Sequence, residues 1–281
     1  MKILVTGCEG MLGKEMCETF KDKYEIIGVG RECDITTKKV LEDKINEIKP
    51  EIIINSAAYT NVDLAETERE QANLVNVIGV KNLAELCNKQ NIKLIHFSTD
   101  YIFDGLKDEP YIEEDKPNPL NHYGFTKLIG ERMIQEAMSK YYIFRITWLY
   151  GKYRKNFVKT ILKLASEKDE LKIVNDQTGC PTYTKDVINA VDEAIKQNKN
   201  KFGIYHLNNS DSCSWFEFAN EILDIKGIEK KLIPIKTEEY PLPAKRPKYS
   251  VMSNFKFQST FKYGIRSWHN ALKDFLTNDL T

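Results

Sequence analysis

Residues 2–13 read Lys2-Ile3-Leu4-Val5-Thr6-Gly7-Cys8-Glu9-Gly10-Met11-Leu12-Gly13, an apolar run that stops at a glycine and passes into an amphipathic pattern from about Met11. A strand, three glycines and a helix in that order form the junction that cradles a dinucleotide pyrophosphate. Glycine permits the tight turn and close backbone approach, and the helix N-terminus faces the anion. The spacing is G-x-x-G-x-x-G rather than the commoner G-x-G-x-x-G, and by itself such a triplet reads equally as a turn. Placed at the first strand–helix junction of an alternating chain, it makes Gly7, Gly10 and Gly13, with Met11 and Leu12 between them, the candidate cofactor loop.

Beyond this junction the chain keeps alternating short apolar runs with longer amphipathic stretches. Strands are predicted at Glu25–Val29, Ile52–Asn55, Lys93–Ser98 and Tyr142–Thr147, and helices from about Lys38, over Ala72–Lys89 and over Tyr123–Met138. Such alternation argues for an α/β fold, a doubly wound, Rossmann-like parallel sheet covered by helices on both faces, over residues 1–150. After Gly151 the pattern loosens into a helix near Phe157–Ala165, a strand Leu171–Val174, a helix Lys185–Lys196 and a strand Gly203–Asn208. A further helix starts near Ser214, where Ser214-Trp215-Phe216-Glu217 fits a capping box, and the proline-rich run Pro241–Pro247 is a loop. Residues 151–281 are therefore expected to form mainly a smaller, mixed α/β substrate domain. Some elements between 171 and 208 are expected to return to the nucleotide-binding domain.

Lys plus Arg and Asp plus Glu both number 41, so no global field draws the chain to nucleic acid or an anionic membrane. Any anionic ligand must be held by local groups. The six cysteines include no C-x-x-C pair and no zinc spacing, which points to free thiols in a reducing cytoplasm and gives metal catalysis no support. The opening apolar run is too short for a signal peptide, and no stretch approaches a membrane span, so a soluble cytoplasmic protein is expected.

Tyr123 and Lys127 stand four apart in Tyr-Gly-Phe-Thr-Lys, after Ser98-Thr99-Asp100-Tyr101 at the end of a predicted strand. Four apart on a helix places both on one face, so the lysine ammonium can favour the phenolate and make the phenol a proton donor at neutral pH. Thr99 aims its hydroxyl into the crevice where open α/β sheets bind ligands, so it is placed to hydrogen-bond a substrate carbonyl. At the end of the second strand, Arg31 would pair with a 2′-phosphate, whereas Glu32 or Asp34 would favour a free 2′-hydroxyl; the lean is to NADPH, with NADH possible. Ala57, Ala58 and Tyr59 lie where a nicotinamide ribose would pass, or else simply pack the core. His96 and His206 read as packing or hydrogen-bonded histidines.

Together these motifs resemble the extended short-chain dehydrogenase/reductase family across nearly the whole chain. Within it, the runs 55–66, 98–105, 121–131, 147–151, 176–182 and 246–250 are similar to the dTDP-4-dehydrorhamnose reductases. The resemblance implies hydride transfer from NAD(P)H to C4 of a 4-keto-6-deoxy sugar on dTDP, giving dTDP-L-rhamnose, with Tyr123, Lys127 and Thr99 catalytic and Lys127 also on the nicotinamide ribose. It further implies that Thr60, Val62, Tyr101 and Trp148 contact the sugar and that Gln177, Gly179 and Pro181 shape a loop over it. Arg246 then offers a guanidinium to the diphosphate or anchors a loop to a carboxylate. Met11 departs from the glutamine common in the family. A homodimer is a family-based expectation. The alternatives are another 6-deoxysugar 4-ketoreductase, a 4-epimerase, or a non-catalytic partner like the regulatory subunit of methionine adenosyltransferase.

Overall fold

In the computed structural model, which describes residues 1–280, the chain opens as β1 (Lys2–Thr6), α1 (Met11–Phe20), β2 (Glu25–Val29), α2 (Lys38–Ile48) and β3 (Ile52–Asn55). It continues through α3 (Arg69–Asn73), a wide π turn at Leu74–Gly79 and α4 (Val80–Lys89) to β4 (Lys93–Thr99), α5 (His122–Ala137) and β5 (Tyr141–Ile146). The later elements are β6 (Leu149–Tyr150), α6 (Phe157–Glu167), β7 (Glu170–Val174), β8 (Thr178–Gly179), β9 (Thr182–Tyr183), α7 (Thr184–Gln197) and β10 (Gly203–His206). They are followed by β11 (Cys213–Ser214), α8 (Trp215–Lys226), β12 (Lys231–Ile235), α9 (Phe255–Phe261) and α10 (Trp268–Asp274).

Six strands make one parallel sheet in the order β10–β5–β4–β3–β1–β2. Successive strand residues point to opposite faces, and here both faces are covered, which explains the near-continuous Ile, Leu and Val of β1 and β3. Ile3, Val5, Ile52 and Ile54 pack with Met16 and Phe20 of α1 and with Ile188 and Val191 of α7. Leu4, Ile53 and Leu94 pack on the other side with Leu41 and Ile45 of α2, Leu83 of α4 and Ile134 of α5. Burial of each such side chain contributes roughly 1.5–3 kcal/mol.

From β1 the chain passes to β2 on one side and to β3 on the other, so strand order reverses at β1 and a crevice opens beyond the carboxyl ends. Gly7, Ser56 and Thr99 all emerge there. In the second half, β10 pairs with β5 in the main sheet, whereas β7 pairs with β12 beside a third core that includes Tyr150, Val158, Phe218 and Trp268. The capping box at Ser214 is formed, with Glu217 Oε2 accepting from the Ser214 N–H at 2.7 Å.

The apolar repeat over 72–89 predicts an unbroken α-helix, and the structure instead has the wide turn at Leu74–Gly79. The cause is Asn76, which turns inward. Its oxygen accepts from the Tyr59 N–H at 2.9 Å, and its Nδ2 donates to the Tyr59 carbonyl and the Thr126 hydroxyl, each at 3.0 Å. Such turns often sit beside functional sites. Among the described residues, no helix is long and apolar enough to cross a membrane.

Candidate active site

The crevice is a cleft of about 1160 Å³ running from the glycine loop to a pair of tryptophans. At the loop, Gly7 adopts φ +66°, and a Cβ there would lie 2.6 Å from the Ala57 nitrogen, so no other residue fits both the turn and the approach to β3. Gly10 is the N-cap of α1 and no side chain caps it, which leaves helix N–H groups facing the cleft beside Met11 and Leu12. Gly13 does not line the cleft; it lies against the Gly7 carbonyl and the Ser56 hydroxyl and serves the packing of α1 on the sheet.

At the end of β2, both acidic candidates are turned to backbone. Glu32 Oε1 accepts from the Gly30 N–H at 2.7 Å and Asp34 Oδ1 from the Thr36 N–H at 2.9 Å. Arg31 lines the cleft and forms no ion pair among the described residues. Each of these bonds uses one carboxylate oxygen, so Arg31 and Asp34 both reach the cleft there, the cation without an ion-pair partner among the described residues. Ala57, Ala58 and Tyr59 continue the wall toward the centre, with Asp34 also at its edge.

The centre is built by β4 and α5. Thr99 ends β4, and its hydroxyl donates to Asp100 Oδ1 at 3.1 Å while accepting from the Tyr101 N–H at 3.2 Å. Thr147 donates to the other Asp100 oxygen at 2.9 Å. Burial raises the Asp100 carboxyl to about 6 against these hydrogen bonds. Asn121 caps α5 by accepting from the Gly124 N–H at 2.8 Å, which fixes Tyr123 in the first turn and Lys127 one turn on. The Tyr123 and Tyr101 rings meet edge to face with centroids 6.0 Å apart.

Burial pushes the Tyr123 hydroxyl above its ordinary value; the Asp100 charge adds to this, and Thr99 opposes it. Burial likewise lowers Lys127 to about 8, with Glu131 working the other way. Tyr123 and Lys127 do share one face and both line the cleft. The Lys127 amine, however, donates to the Phe97 carbonyl at 2.6 Å and lies 3.3 Å from His96 Nε2, so its bonds run to β4 rather than to the phenol.

At the far end, Thr60, Val62, Tyr101 and Trp148 line the cleft. Trp148 carries a positive φ of 44° and lies flat on Trp215, which Phe157 backs at 4.5 Å. Gln177 and Arg246 are not brought to the lining. Gln177 accepts from the Trp215 indole N–H at 3.2 Å and donates to Thr237 at 3.1 Å, so it supports the wall from behind. Arg246 donates to the two Asp63 oxygens at 3.0 and 2.8 Å and to the Ala244 carbonyl at 2.7 Å, a bidentate pair that takes the loop-anchor alternative.

The family described as RmlD substrate binding domain matches residues 1–280. A dTDP-4-dehydrorhamnose reductase of Aggregatibacter actinomycetemcomitans is 40% identical, with 97% of each chain covered. The chain belongs to the dTDP-4-dehydrorhamnose reductase family. Another relative, the spore coat polysaccharide biosynthesis protein SpsK of Bacillus subtilis (strain 168), is 40% identical over 98% of this chain and 96% of its own. A crystal structure of the family from Bacillus anthracis str. Ames, in complex with NADP, superposes with a TM-score of 0.95 at 39% identity, covering 98% of both chains.

Trp215, Arg154 and Lys155 of this family member's cleft, and Asn76 behind Tyr59, escaped the sequence reading. Trp215 is visible there only as the start of a helix, and Asn76 only as part of an amphipathic repeat. Arg154 and Lys155 bring positive charge to the lining, and Arg154 donates to the Glu9 carbonyl at 2.8 and 2.6 Å, tying its loop to the glycine loop. Lys-Tyr-Arg-Lys at 152–155 reads as a solvated charge run, and nothing local marks it as belonging to the cleft.

Proposed function

We propose that the protein reduces the C4 carbonyl of dTDP-4-dehydro-L-rhamnose to dTDP-L-rhamnose with NADPH, the reaction its family is named for. The observation that carries the reading is the convergence of Thr99, Tyr123 and Lys127 in one cleft with the glycine loop. The loop fits a dinucleotide: Gly7 is left-handed, α1 presents uncapped N–H groups, and Arg31 has no carboxylate partner among the described residues. When bound, NADPH supplies the hydride. As negative charge develops on the substrate oxygen, Tyr123 donates its proton and Thr99 a hydrogen bond. Lys127 restores the phenol and, as assigned here, also meets the nicotinamide ribose. Thr60, Val62, Tyr101 and Trp148 are assigned to the sugar, while Gln177 and Arg246 shape its surroundings without touching it.

Residues 1–150 are read as the dinucleotide-binding domain and 151–281 as mainly the substrate domain, with α7 and β10 belonging to the first. Six free cysteines fit a cytoplasmic enzyme. A homodimer is the expected assembly; Leu74 and Ile78, one turn apart and both substantially exposed, suit such a contact, and light scattering tests it. The function is tested by mixing the protein with dTDP-4-dehydro-L-rhamnose, following NADPH and NADH at 340 nm, and identifying the product by NMR. NADPH loss with dTDP-L-rhamnose formed is the expected result. Interconversion of sugars with no net NADPH loss would make it an epimerase, and no turnover beside a working control enzyme would favour the regulatory-partner alternative.

A further inference from the structure

Beneath the Lys127 amine lies a buried polar chain that the reaction as described does not use. Thr6 on β1 donates to Asn55 Oδ1 at 2.7 Å, Asn55 Nδ2 meets His96 Nδ1 at 2.9 Å, and His96 Nε2 meets Lys127 Nζ at 3.3 Å. Thr6, Asn55 and His96 are each about 1% exposed, and Lys127 is 3% exposed.

The direction of each hydrogen bond follows from one fixed donor. The Ala57 backbone N–H can only donate, and it donates to Asn55 Oδ1 at 3.2 Å. The other end of that amide is therefore NH₂, and it donates to His96 Nδ1. Burial and the nearby lysine keep His96 neutral, well below its ordinary value. A neutral imidazole with an accepting Nδ1 carries its proton on Nε2, the nitrogen that faces Lys127. An N–H aimed at an amine is satisfied only by the lone pair of the uncharged form.

We infer that His96 is a positioning residue for Lys127: anchored by Asn55 and Thr6, its Nε2–H receives the lysine amine after that lysine gives up its proton. The inference rests on the reductase reading. Once Tyr123 has passed its proton to the substrate oxygen, the phenolate takes one from the Lys127 ammonium, and the resulting NH₂ donates to the Phe97 carbonyl and accepts from His96 Nε2–H. Solvent water reprotonates the lysine before the next cycle. Burial disfavours the ammonium, and Glu131, the carboxylate that favours it, makes its own hydrogen bonds elsewhere. Around Lys127 the titratable and charged side chains are His96 from β4, Asp100 just past its end, Arg145 from β5, and Tyr123 and Glu131 on α5. Glu131 is already taken bidentately by Arg145, at 3.0 and 2.8 Å. The wide turn contributes the neutral Asn76, which reaches only Thr126 on this helix.

Two measurements test the role. On the unmodified protein at about pH 9, above the lysine titration, ¹⁵N shifts of the His96 ring are expected to show a bare Nδ1 and a protonated Nε2. A proton on Nδ1 overturns the inference. The pH dependence of single-turnover NADPH oxidation is then compared among wild type, His96→Phe and His96→Gln. In His96→Phe the lysine limb should move up by roughly one pH unit, the size of one lost hydrogen bond. His96→Gln, whose amide N–H can face the amine, should recover roughly half of that shift. An unmoved limb in folded, active His96→Phe overturns the inference. If that variant does not fold, the ring-nitrogen measurement decides alone. A wild type that never oxidises NADPH with the keto-sugar counts against the reductase reading instead, and the His96 tautomer is still decided by its own spectrum.

Discussion

The indole of Trp148 lies face to face with that of Trp215, with centroids 3.4 Å apart and planes within 7°. Gly179 lies directly against the Trp148 indole, so close that a Cβ there would sit 2.5 Å from it. Trp215 therefore holds Trp148 in a backbone conformation that a tryptophan rarely adopts.

Trp215→Ala removes that support and should raise the sugar-nucleotide KM by about tenfold, the cost of losing an aromatic stack of about 1.4 kcal/mol, with NADPH binding unchanged. Gly179→Ala should do the same by displacing Trp148. Steady-state kinetics check both, and equal KM values in wild type and variants would remove the pair from the sugar site.

Tyr123→Phe deletes the hydroxyl to which the proposed function assigns proton donation and leaves the ring. Turnover should fall by about 10² to 10⁴ with NADPH affinity little changed. Single-turnover rates and cofactor titration separate the two quantities, and a near-normal rate would assign proton transfer elsewhere.

Among the described residues Arg31 forms no ion pair, and it lines the cleft where the proposed function lays the adenosine ribose. Arg31→Ala should weaken NADPH by about 10- to 100-fold, the range for one lost charge-assisted hydrogen bond or two, and leave NADH nearly unaffected. If both cofactors weaken equally, Arg31 contacts something common to them and not the 2′-phosphate.

Asp63 and Arg246 should behave as one unit. Either alanine variant loosens the 244–246 loop, and the double variant should be no worse than the single ones, with a coupling of about 0.5–3 kcal/mol in urea denaturation. The Arg246 hydrogen bonds hold the Asp63 carboxyl below its ordinary value, so its contribution is present above the unfolded value of 3.8 and fades on further acidification. An Arg246→Ala that raises the substrate KM while Asp63→Ala does not would return the guanidinium to the diphosphate.

Asp100 has the opposite sign. Its folded value of about 6 lies above the unfolded 3.8, so its contribution is fully present below pH 3.8 and is lost as pH rises through about 6. Asp100→Asn should abolish that slope, making the variant gain on wild type between these values by on the order of 2–3 kcal/mol. Denaturation across that range reads the difference, and parallel curves would mean that the buried carboxyl is ionised without penalty.

What the sequence made legible was whatever repeats locally. The alternation of Ile3, Leu4 and Val5 between two faces, the glycine turn, and the one-turn spacing of Tyr123 and Lys127 are properties of short stretches, and the structure keeps them. The wide turn at Asn76 leaves no trace in an apolar repeat, because its cause is a backbone seventeen residues away at Tyr59. Arg246 finds Asp63 across 183 positions, and an unpaired guanidinium in a motif looks the same as a paired one. Trp215 announces a helix start through Ser214 and Glu217, while its stacking partner is set by tertiary packing. His96 looks like any core histidine until Ala57 fixes the amide of Asn55.

The sixth strand has a practical consequence. β10 lies beside β5 and α7 covers β1 and β3, yet both belong to the half of the sequence that follows residue 151. A chain cut near 150 would leave β5 as a bare edge, with Tyr142 and Phe144 exposed to solvent and ready to template aggregation. Transplanting sugar specificity from a relative therefore calls for a discontinuous exchange that keeps residues 184–206, and α9 which packs on Tyr142, Phe144 and Tyr205, with their original sheet and replaces only the other segments.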